Sequence, residues 1–143
     1  MKLSNMWLGV LWCSIALASC DVTPEFLQAL AQVESGNRDI PGDNGNAQGP
    51  FQIWEINVRE ANRILRAYVF SPDLRHDYDA AAEMTRVVLT YWERHFERKF
   101  KMELGVEDLA AIHRHGPSWS PEKTTKAAID RDRGKAIQKY LAK

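Results

Sequence analysis

Apolar residues recur at helical spacing over most of the chain. Leu27, Leu30 and Ala31 share one helix face, and the next position on that face is Glu34. Thr23-Pro24 supplies an N-cap and a first-turn proline, and Gly36 supplies a left-handed stop. "RDIPGDNGNAQGP" then reads as a long structured loop, rich in turn residues. From Phe51 to Phe70 helical spacing returns, with Ile53, Ile56, Ala61, Ile64 and Leu65 expected to face inward. "SPDLRHDYD" breaks the pattern and offers Asp73 or Asp77 as a cap.

The longest helix is predicted from Asp79 to Phe100. Met84, Val88 and Tyr91 form one stripe and Leu89, Trp92, Phe96 and Phe100 another, so this helix should be central. Its charged run "ERHFERK" reads as a solvated face. A short helix through Leu109 and Ile112 ends at Gly116-Pro117. A last one starts at Ser120-Pro121-Glu122 and continues to Leu141, with Gly134 a weak point. No stretch alternates convincingly. The expected fold class is mainly α, about five helices in one domain.

Residues 1–20 stand apart. Lys2 precedes an apolar run from Met6 to Ala18, the length of a secretory core and short of the roughly 18 residues that span a bilayer. An export leader is expected, placing the protein in the periplasm or outside the cell. "LASC" is similar to a lipoprotein cleavage box, which would make Cys20 a candidate lipid anchor, while Ala16-Leu17-Ala18 suits simple secretion. Both cysteines, Cys13 and Cys20, fall in this leader, so residues 21–143 must be held by packing without a disulfide. The 143 residues carry 19 basic and 19 acidic side chains, which gives no electrostatic reason to expect nucleic acid as partner.

Glu34 is the residue that breaks its own pattern. It sits on an apolar stripe, where desolvation disfavours charge, and in a last helical turn, where the dipole also disfavours an anion. Both effects push a carboxyl above its usual value of about 4.3, towards the protonated state that general-acid cleavage of a glycosidic bond requires. A solvent-exposed glutamate at a frayed helix end is the plainer reading of the same spacing.

The neighbouring motifs bear on that choice. "ESGN", then "GDNGNAQGPFQIW", then "IHRHGP" resemble in order and spacing the lytic transglycosylase (SLT-type) domain of the lysozyme-like superfamily, over roughly Phe26 to Pro117. The resemblance implies a single lysozyme-like helical domain at 21–143, with a long active-site loop after the first helix. It implies that Glu34 protonates the glycosidic oxygen between N-acetylmuramic acid and N-acetylglucosamine and then acts as base. Ser35 would orient the sugar, Gln52 and Ile53 would contact the glycan, and His113 would line the cleft. Peptidoglycan strands are the implied partner, and no cofactor is implied. Arg114 and His115 depart from the family, which commonly places an asparagine there.

Ordinary glycosidases use two carboxyl groups. The family can work with one, because the muramic acid's own C6 hydroxyl attacks to give a 1,6-anhydro product. Asp39, Asp43, Asp73 and Asp77 are candidates for a second, so a hydrolytic lysozyme with the same acid stays open, as does a non-catalytic glycan-binding lipoprotein. "GDNGN" fails as a calcium loop, since Gly45 and Trp54 stand at ligand positions. His113 and His115 lack a third ligand at recognisable spacing, which argues against a metal site.

Overall fold

The fold starts from a well-capped helix. The computed structural model describes residues 22–126 and 128–143, with side chains except those of residues 126–130. Helix α1 spans Pro24–Ser35; Thr23 Oγ1 accepts from the Phe26 amide at 3.1 Å, and Gly36 closes the helix at φ 67°. Its inward face (Phe26, Leu27, Leu30 and Ala31) is buried. Residues 1–20, where a leader is expected, and with them both cysteines, lie outside the described residues.

The loop after α1 folds into a small hairpin. A 3-10 turn at Asp43–Gly45 leads into β1 (Ala47–Gln48), which pairs antiparallel with β2 (Ile53–Trp54) in the register Ala47 to Trp54 and Gln48 to Ile53. The helix predicted from Phe51 therefore begins later. Helix α2 spans Glu55–Leu65, and Ile53 is buried as a strand residue. Ala61 is buried as expected, but Ile56 and Leu65 point outward, at 61% and 41% exposure. The helix starts four residues later than expected, and its buried residues are Val58 and Ala61.

Asn62 then fixes the following turn. Its Oδ1 accepts from the amides of Val69 and Phe70, both at 2.9 Å, and its Nδ2 donates to the Phe70 carbonyl at 2.8 Å. A 3-10 turn at Pro72–His76 precedes α3 (Tyr78–Phe100), which Asp77 caps by accepting from the Ala80 amide at 2.8 Å.

Helix α3 is central. It packs against α1, α2, α4 (Val106–His115) and the Pro72–His76 turn. Met84, Leu89 and Phe96 are buried, with Val88, Trp92 and Phe100 against them. The run expected to be solvated is not uniformly so: Glu93 and Phe96 are buried within it. Both lie on the inward stripe, and position on the helix outweighs the charge of the local sequence.

Trp119 packs against both Phe96 and Phe100, with ring centroids 4.9 and 5.9 Å away. It follows a 3-10 turn at Gly116–Ser118 and precedes α5 (Pro121–Lys126) and α6 (Ala128–Leu141). Helix α6 lies across α1 and α4, with Ile137 fully buried. The result is a mainly α single domain of six α-helices among the described residues. No described helix is long and apolar enough to cross a membrane.

Candidate functional site

Glu34 sits one residue from the end of α1, where the stripe expectation places it: its side chain is only 7% exposed. The partner it finds there is Arg133 of α6, whose guanidinium forms an ion pair with the Glu34 carboxylate. Burial holds the Arg133 pKa below its ordinary value. A guanidinium paired with it favours the carboxylate as an anion, opposing the desolvation and dipole effects expected from sequence. Arg133 was not among the expected site residues. A signal existed: Arg133, Ile137 and Tyr140 fall at i, i+4 and i+7, so α6, like α1, carries a charge on its apolar stripe.

Ser35 is buried and works as a joint. Its hydroxyl donates to the Pro50 carbonyl at 2.8 Å and accepts from the Arg38 amide at 2.9 Å, tying the end of α1 to the far end of the loop. Gln52 braces the same loop from within. Its Nε2 donates to the carbonyls of Ile40 at 2.8 Å and Gly49 at 3.0 Å, from a backbone at φ 51°. The polar hydrogens expected to meet a sugar are engaged with backbone here.

Ile53 and His113 share a cleft. It is a small cleft, open to solvent, lined by these two with Asn57, Met84, Thr85, Val88, Ile112 and Gly116. His113 Nε2–H donates to the Phe51 carbonyl at 2.8 Å, which leaves Nδ1 as an acceptor. Burial lowers the His113 pKa, and this hydrogen bond opposes the shift only in part. Asn57 and Thr85 carry no motif and were not anticipated, whereas Gly116 belongs to the "IHRHGP" block.

The five expected site residues thus divide. Ile53 and His113 line the cleft, whereas Glu34, Ser35 and Gln52 are outside its lining. A short path joins the groups: Ser35 holds Pro50, and the next residue, Phe51, holds His113.

The candidate second carboxylates have local partners or exposed positions. Asp39 pairs with His76 at 2.7 Å, Asp43 accepts from the Trp54 indole at 3.3 Å, and Asp77 caps α3. Asp73 lies exposed in the first turn after Ser71. None of the four lines the cleft.

No family model, curated protein or solved structure matches this chain. The domain is mainly α and carries a buried, ion-paired glutamate beside a braced loop, with a separate apolar cleft lined by Ile53 and His113.

Proposed function

We propose that this protein is an exported peptidoglycan-cleaving enzyme, a lytic transglycosylase in which Glu34 is the acid/base. The observation that carries the reading is a glutamate side chain 7% exposed at the end of α1, beside the loop that Ser35 and Gln52 hold in place. Buried titratable groups of this kind concentrate at functional sites.

The chemistry needs one carboxyl group. Protonated Glu34 gives its proton to the glycosidic oxygen as the bond from muramic acid C1 breaks. The resulting carboxylate takes the proton of the muramic acid C6 hydroxyl as that oxygen bonds to C1. The product carries a 1,6-anhydro ring, no water is consumed, and Glu34 ends protonated as it began. The Ile53 and His113 cleft would seat the apolar face and acetamido groups of the glycan.

A second reading has its own support. Glu34 is paired with Arg133, and Ser35 and Gln52 hold backbone, so the same residues also suit a glycan-binding protein without turnover.

Digestion of purified peptidoglycan, with the released fragments weighed by mass spectrometry, separates the alternatives. Anhydro-muramyl ends are expected. Reducing ends would indicate a hydrolase, and retained binding without release would indicate the non-catalytic protein. Glu34→Gln should lower release by about a thousandfold, within the range spanned by general acid catalysis. Release at the wild-type rate from that variant would remove Glu34 from the mechanism.

A further inference from the structure

Arg133 has no part in the proposed chemistry, yet it stands against the one group that the chemistry uses. A carboxylate paired with a guanidinium is an acceptor only and has no proton to give. Arginine cannot serve as the proton source in its place, because it stays protonated in proteins.

Geometry adds to this. The Arg133 side chain is 23% exposed and that of Glu34 7%, so Arg133 is the more solvent-accessible side chain of the pair. The arrangement is incompletely satisfied, since the buried Arg133 Nε and Glu34 Oε1 belong to an ion-paired couple but neither has a hydrogen-bond partner among the described residues. A buried ion pair with an unmet donor gains less than a fully bonded one, so the pair is held more weakly than its burial suggests.

The helix that carries Arg133 is seated by close packing. Gly134 lies so near α4 that an added Cβ would come within 2.5 to 3.0 Å of the Glu107 Cγ, Cβ and Cα. Ile137, one turn on, is fully buried. The position of α6 on α4 therefore sets the position of Arg133 at Glu34.

We propose that Arg133 is an autoinhibitory latch on Glu34, and that turnover requires its guanidinium to leave the carboxylate. This rests on the reading of Glu34 as the acid. The latch opens when α6 shifts on α4 or when an anionic group of the bound glycan strand competes for Arg133.

The test measures the initial rate of fragment release from purified peptidoglycan by wild type, Arg133→Gln, Arg133→Lys, Gly134→Ala and Glu34→Gln, each checked for folding by circular dichroism. Arg133→Gln should release fragments about tenfold faster than wild type, and Arg133→Lys should return to near the wild-type rate. Gly134→Ala keeps the arginine, but its methyl group cannot fit against Glu107 unless α6 moves. It should also be faster, and it decides the matter if Arg133→Gln does not fold. If wild type is active, Glu34→Gln inert and no folded latch variant faster than wild type, the latch is wrong and the enzyme reading stands. If wild type and every latch variant are inert, the enzyme reading is wrong and the latch falls with it.

Discussion

His113 shows how much one side chain can carry. In the unfolded chain it titrates near 6.5, whereas burial holds it lower in the fold. As pH falls, the unfolded state takes up this proton first. Its contribution to stability is therefore full above about pH 6.5 and lost as pH drops from there through the folded pKa, by up to about 1.4 kcal/mol per unit. Urea midpoints should fall between pH 7 and 5.5, and His113→Gln should flatten that dependence. Equal slopes for the two proteins would show that another group is responsible. At this scale the sequence was informative about Glu34, because its place on the apolar stripe pointed inward, although the same spacing also allowed an exposed carboxylate at a frayed helix end. It was less informative about Ser35 and Gln52. Their type and position were readable, but whether a hydroxyl or amide meets a ligand or a carbonyl depends on a loop path that no periodicity encodes.

Between residues and whole fold, the loop from Asn37 to Gln52 is the instructive element. Gly49 sits at φ 77°, and a Cβ there would come within 1.9 Å of the Arg75 carbonyl oxygen. Arg75 in turn donates from Nε to the Pro72 carbonyl at 2.7 Å and from Nη1 to the Ile53 carbonyl at 3.3 Å. The hairpin is thus clamped to the Pro72–His76 turn on both sides. Gly49→Ala should destabilise the protein by about 1–3 kcal/mol, combining a left-handed alanine with a backbone collision. A thermal melting point unchanged by that variant would mean that the loop is not held there. The helices were legible because caps and stripes agree, at Thr23, Gly36 and Asp77. The hairpin was not, because two strands of two residues are too short to show alternation, and the start of α2 was misplaced with them.

Over the whole molecule, the core is organised around α3 and closed by Trp119. That indole is buried, touches Phe96 and Phe100, and donates to the Thr124 hydroxyl at 3.1 Å. It joins the C-terminal helices to the centre of the domain, so Trp119→Ala should cost about 3–5 kcal/mol, the range for deleting a large buried aromatic. Chemical denaturation would measure it, and a loss under 1 kcal/mol would mean the cavity collapses or the helices are held elsewhere. The two apolar stripes of α3 announced a helix touched from two sides. They did not announce which helix would bring a cation to Glu34, since pairing between α1 and α6 is a tertiary choice among faces of similar width.

Trp119 also gives the molecule an internal optical gauge. Among the described residues the tryptophans are Trp54, 43% exposed on the hairpin, Trp92 on α3, and Trp119, 2% exposed against the C-terminal segment. Solvent exposure shifts indole emission to the red and opens it to collisional quenchers. With Trp54 replaced by phenylalanine, the remaining emission would come from Trp92 and Trp119, both seated on the aromatic core. Movement of the C-terminal helices could then be followed by light in the unlabelled protein while a glycan binds.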